Sequence, residues 1–137
     1  MSGNGLDIRL LGTSSIEDHH AHLLRLDYLD RCLFFSVGND DRAVDAHCLR
    51  LLSAQAILIG AYDDGCMRAS VEILPDRDGR HGKATLIAEP HYQSDELADA
   101  MMARAQAEAA KHGLAKLDFV GMTGAPQAIR AQMARFA

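Results

Sequence analysis

The sequence predicts an α/β fold with the element order β-α-α-β-β-β-α-β-α, and three observations point to it. Asp63-Asp64-Gly65 lies between two apolar runs, and Asp-Gly between such runs signals a β-hairpin. Leu97, Met101, Ala105 and Ala109 recur every four residues, which puts them on one helical face. That helical stretch lies between a strand-like run closed by Pro90 and a second run over residues 116–120, so a helix connects two strands.

Taken in order, residues 6–11 form a short strand closed by Gly12. Ser14 or Ser15 caps a helix that starts near Ile16, with Ile16, Leu23, Leu24 and Tyr28 approximating its apolar face. The short apolar segment 31–36 (RCLFFS) reads as an irregular turn between helices. Asn39-Asp40-Asp41 offers a second N-cap, and Val44, Cys48, Leu51 and Leu52 form the buried stripe of the helix that follows. The hairpin strands fall at about 56–62 and 67–74, and the polar stretch 75–82 (PDRDGRHG) is a loop. A third strand covers 83–89 and stops at Pro90, which cannot donate to a ladder. Ser94 opens the long helix. Glu108 is placed to pair with Lys111 or His112 in its last turn, and Gly113 suits the position just past its end. After the strand at 116–120, residues 121–126 (GMTGAP) form a loop. Pro126 suits the first turn of a final helix that carries Ile129 and Met133 on one face.

With 137 residues, 48% hydrophobic and 24% charged, the chain is expected to fold as one domain over residues 1–137. A net charge of −5 argues against nucleic acid as the main partner, which would call for a basic face. No apolar run reaches the length of a membrane span, and the N-terminus MSGNGLDIRL lacks the pattern of a signal peptide. Cys32, Cys48 and Cys66 are odd in number and widely spaced, so they read as reduced thiols of a cytoplasmic protein.

The segments HLLRLDYLDRCLFFSVGNDDRAVDAHCLRL, AILIGAYDDGCMRASVEI, LIAEPHYQSDELADAMMARAQAEAAKHGLAKLDFV and GAPQAIRAQMARFA, in this order, resemble the GNAT family of acyl-CoA-dependent N-acyltransferases over about residues 8–136. The likeness implies a central mixed β-sheet flanked by helices. It also implies a cofactor region, placed here on Ile87, Ala88, Gln93, Ser94, Asp95, Glu96, Leu97 and Ala98. The family's motif there is Gln or Arg, two residues, Gly, one residue, then Gly or Ala. Its backbone N–H groups and the helix N-terminus hold the pyrophosphate of coenzyme A. Gln93 and Ala98 match the first and last places, whereas Glu96 stands where the first glycine belongs and Asp95 precedes it. Like charges about 5 Å apart repel by roughly 1 to 3 kcal/mol at surface-like dielectric. A helix end favours an anion by only about 0.3–2 kcal/mol. Asp95 and Glu96 also suit a ligand-free first turn, where acidic side chains offset the dipole.

The resemblance implies direct attack of an amine on the thioester, with a base to take the amine proton and an acid, often a Tyr of the helix after the fifth strand, to protonate the thiolate. PQAIRAQMARFA holds no Tyr, and Ala125 and Pro126 stand where an Asn is frequent. Glu89 is the general-base candidate and Glu72 the second; read without the family, Glu89 is a solvated strand-end carboxylate. His19 and His22 share a helical face beside Asp18, and His20 lies between them. With no CxxC or HExxH pattern they read as a solvated polar face and not as a metal site. His47 and His91 read as ordinary positions, and Cys48 as core. Family members usually continue into further strands beyond the point where this sequence ends. The fifth strand is therefore expected to be an open edge that pairs in a homodimer or with a strand-adding protein.

These features lead to a divergent member with a degraded acetyl-CoA motif, weak or no acyl transfer, and an interaction or ligand-sensing role. The alternative is an active acetyl-CoA-dependent N-acetyltransferase acting on an amine of a small molecule or protein.

Overall fold

The computed structural model describes residues 6–27, 30–31 and 40–123. It contains β1 (Asp7–Leu11), α1 (Ile16–Leu24), α2 (Asp41–Ser53), β2 (Ile57–Asp63), β3 (Cys66–Pro75), β4 (His81–Ala88), α3 (Asp95–Lys111) and β5 (Lys116–Met122). Short 3-10 turns at Thr13–Ser15 and Pro90–Tyr92 precede α1 and α3. The strands form one mixed sheet in the order β1-β2-β3-β4-β5. The first four pair antiparallel, and β5 lies parallel to β4 because α3 carries the chain across between them.

The hairpin turns where Asp-Gly predicted it. Asp64 and Gly65 both take positive φ, 50° and 80°, the backbone of a two-residue turn that follows the strand twist. The sequence sets the loop between β3 and β4 too wide: both strands extend into it, leaving 76–80 as the connection.

Alternation along β3 separates two faces. Ala69, Val71 and Ile73 are buried in the larger core with Ile57, Ile59 and Ala61 of β2 and Ala84, Leu86 and Ala88 of β4. Leu97, Met101, Ala105 and Ala109 of α3 close over this face, as their four-residue spacing predicts. Ser94 caps α3 by accepting from the Leu97 N–H at 3.1 Å, and Gly113 leaves it at a φ of 81°. Glu108 pairs with Lys111 and also with Arg104, while His112 bonds the Glu108 carbonyl instead of its carboxylate.

The other face of the sheet carries α1 and α2 over Leu23, Leu26, Ala43, Val44, Cys48 and Ile87. Asp40 caps α2, accepting from the Ala43 N–H at 3.0 Å. Four expectations change here. Ser15 precedes α1 without a side-chain cap, and its N–H donates to the Gly12 carbonyl in the 3-10 turn. The buried face of α1 is His19, His22 and Leu23, with Ile16 and Leu24 only partly covered and Leu26 buried just past its end. Leu52 leaves the α2 stripe for the surface at 38% exposure. Arg31 is helical, so the irregular turn fails there. The rest of that segment, Tyr28 and the final helix fall outside the described residues.

Replacing fully buried Met101 with Ala should lower stability by about 2–5 kcal/mol, while the same change at exposed Leu49 stays within about 0.5 kcal/mol. Urea unfolding of the two variants checks this.

Candidate functional site

The polar residues of β3 all point to the α1/α2 side. Arg68, Ser70 and Glu72 follow one another at spacing two on that face, and Glu89 joins them from the end of β4. Glu72 and Glu89 are 3% and 5% exposed, so each carboxylate needs partners. α1 and α2 supply them. His19 Nε2 donates to Glu72 at 2.6 Å and His47 Nε2 donates to the same carboxylate at 2.8 Å. His22 Nδ1 donates to Glu89 at 2.9 Å, Arg25 Nε at 3.0 Å and Arg68 Nη1 at 3.0 Å.

The expected solvated histidine face is therefore wrong for His19 and His22, which are fully buried against sheet carboxylates, and His47 belongs to the same cluster. His20 alone of the trio lies toward the surface, donating to Asp45 at 2.6 Å. His91 is exposed. Glu89 likewise is no solvated strand end. Among the described residues no three His, Cys, Asp or Glu side chains are disposed to hold a metal ion.

Burial alone would raise the Glu72 carboxyl, but the two imidazoles outweigh it and hold it at about 2. Glu89 is also held below the usual carboxylate range. Burial opposes this, and the bonds from His22, Arg25 and Arg68 overcome it. For His22 burial wins over the pull of Glu89 and lowers its pKa, so the ring is neutral at pH 7. Neutral His22 donates from Nδ1 to Glu89 and accepts at Nε2 from Ser70 Oγ at 3.1 Å. This is the order of a serine–histidine–carboxylate nucleophile. Ser70 and His22 are both fully buried, so no substrate carbonyl reaches the hydroxyl, and the chain of bonds serves cohesion. Cys48 is core, as its place on the α2 stripe predicts. Burial raises its thiol to about 11, which removes it as a nucleophile at neutral pH.

The cofactor candidates divide into two groups. Asp95 and Glu96 are exposed in the first turn of α3. Ser94 takes the N–H groups of Leu97 and Ala98, through its hydroxyl and its carbonyl, and the Leu97 and Ala98 side chains are buried in the core. Gln93 turns inward, donating from Nε2 to the Ala88 carbonyl and to Asp30, each at 3.0 Å.

Ile87 and Ala88 alternate as strand residues do. Ile87 pairs with Ser70 of β3, so its backbone belongs to that ladder. Ala88 faces the β5 side, and there Thr123 meets it. The Ala88 N–H donates to the Thr123 hydroxyl, and that hydroxyl donates to the Ala88 carbonyl at 3.1 Å. With Gln93, the carbonyl has two donors. An extended ligand lying beside the end of β4 would have to displace both side chains to reach these groups. Thr123 escaped the sequence reading, for it sat in a stretch assigned to a loop.

No family model and no curated protein matches the chain at the level of sequence. Solved structures do match it in shape. One is the ribosomal-protein-alanine N-acetyltransferase from Brucella melitensis biovar Abortus 2308, with TM-score 0.61 and 20% identity over 97% of this chain and 91% of that one. The chain has the GNAT fold. A predicted acetyltransferase with acetyl-CoA from Clostridium acetobutylicum gives TM-score 0.62 and 18% identity over 96% and 88% of the two chains. An acetyltransferase of the GNAT family from Streptococcus pneumoniae gives 0.63 and 16% over 96% and 82%. The mixed sheet and its flanking helices in this GNAT fold agree with the order read from the sequence. Among the described residues no helix is long and apolar enough to cross a membrane.

Because Glu72 is depressed from 4.5 to about 2, its ionisation adds stability that is fully present above about pH 4.5 and lost as pH falls toward 2. Glu72→Gln should be about 2–4 kcal/mol less stable at pH 7, with a flatter decline across that acid window. Chemical denaturation at stepped pH measures both.

Proposed function

We propose that this GNAT-fold chain has its coenzyme A slot closed from within, that it performs weak or no acyl transfer, and that it serves in ligand sensing or protein interaction. The observation that supports this most is the occupation of both Ala88 backbone groups by Thr123 and Gln93. The exposed carboxylates of Asp95 and Glu96 at the mouth of α3 add repulsion toward a pyrophosphate. Glu89, the general-base candidate, is held ionised by three donors, which weakens it as a proton acceptor. The residues at this mouth therefore do not suit coenzyme A as they stand.

The interaction we favour is an added strand along β5, where Val120 is 55% exposed, from a second copy of the chain or another protein, in a cytoplasmic setting. A second reading keeps an active acetyl-CoA-dependent N-acetyltransferase for an amine on a small molecule or protein. It is favoured by the Clostridium acetobutylicum relative in fold, whose structure contains acetyl-CoA.

Calorimetric titration with acetyl-CoA separates the two. The closed slot predicts no heat of binding at millimolar ligand, and a micromolar Kd would establish the enzyme instead. Thr123→Val combined with Glu96→Gly removes the hydroxyl and one carboxylate. It should gain affinity by about tenfold or more, since one charge-assisted contact amounts to about 1.5 kcal/mol.

A further inference from the structure

Glu89 receives more positive charge than it needs. A buried carboxylate is balanced by one cation, yet Arg25 and Arg68 both bond it while His22 satisfies a further lone pair. The carboxylate is 7% exposed, whereas the Arg25 and Arg68 side chains are 36% and 29% exposed. The two guanidiniums thus reach the surface while the carboxylate they bond stays buried. The two guanidiniums are also fixed in place. Arg25 donates from Nη2 to the Met67 carbonyl at 2.7 Å, and Arg68 lies 5.7 Å from the Tyr92 ring centroid. Tyr92 is anchored in turn by donating to Asp63 at 2.6 Å. Donors are left over. Among the described residues Arg68 makes its hydrogen bond through Nη1, and Arg25 uses only Nε and Nη2.

We infer that Arg25 and Arg68, held side by side on Glu89 with Tyr92 as a wall, form a binding subsite for the carboxylate of a small ligand. The planar fork of a guanidinium matches a planar carboxylate. The inference rests on the ligand-sensing part of the function proposed above, and it holds whether or not coenzyme A binds. It also makes a polycationic ligand unfavourable at this end of β4.

The test is an NMR titration of the full chain that follows the arginine Nε–Hε signals. Sodium acetate, sodium succinate and inorganic phosphate are the probes, at ionic strength kept constant with sodium chloride. The expected result is a saturable shift of the Arg25 and Arg68 signals with acetate or succinate, which chloride alone does not produce. Arg68→Lys, which keeps the charge and loses the fork, should weaken that binding about tenfold or more. Arg25→Lys gives the same readout if the first variant folds poorly. The absence of a saturable shift with any probe would overturn the subsite, and tighter binding of phosphate than of both carboxylates would overturn the assignment to carboxylates. Loss of acetyl-CoA binding has no bearing on either outcome, so the two readings fail separately.

Discussion

Two ionised carboxylates buried on one face of a β-sheet set the terms for this molecule. Glu72 and Glu89 are isolated from water and would each be costly without partners. Their partners come from α1 and α2 and from the sheet itself, so satisfying the charges fixes where both helices sit. α1 reaches across with His19, His22 and Arg25, at spacing three on one helical face. The apolar contacts of Leu23, Leu26, Val44 and Cys48 then fill the space that this arrangement leaves. On the opposite face α3 packs by the apolar stripe of Leu97, Met101, Ala105 and Ala109, and its own Arg104 and Lys111 pair with buried Glu108.

The same charges decide what the end of β4 can do. Glu89 is committed to three donors and carries two arginines outward with it. One residue earlier, the backbone of Ala88 is committed to Thr123 and Gln93. The end of β4 beside the first turn of α3 is thus populated by internal bonds. Opening it means breaking several of them, each worth about 0.5–1.5 kcal/mol, or up to about 3 where a charge is involved.

Much of the fold was legible because local signals agreed with one another. The Asp-Gly turn, the Ser94 cap, the four-residue stripe of α3 and Gly113 each follow from short-range chemistry, and all four stand where the sequence places them. The site was less legible for a physical reason. Histidine is neither firmly polar nor apolar, so His19 and His22 read as a wet face until the sheet supplied acceptors. The available signal was the alternation of Arg68, Ser70 and Glu72 within a strand otherwise apolar on both sides. Three polar residues at spacing two require a polar companion surface. Thr123 could not be found that way. Its role depends on the parallel pairing of β5 with β4 and on the register shift beside Ala84 and Thr85, which no local pattern encodes.

The central claim is that the Ala88 backbone is engaged from within and stays so in the presence of acetyl-CoA. The backbone amide spectrum of the chain, recorded with and without millimolar acetyl-CoA, tests it most directly. The account predicts that the Ala88 amide remains strongly protected from hydrogen exchange and that its signal, with those of Asp95 and Glu96, does not move. A saturating shift of these three signals at micromolar acetyl-CoA would contradict it.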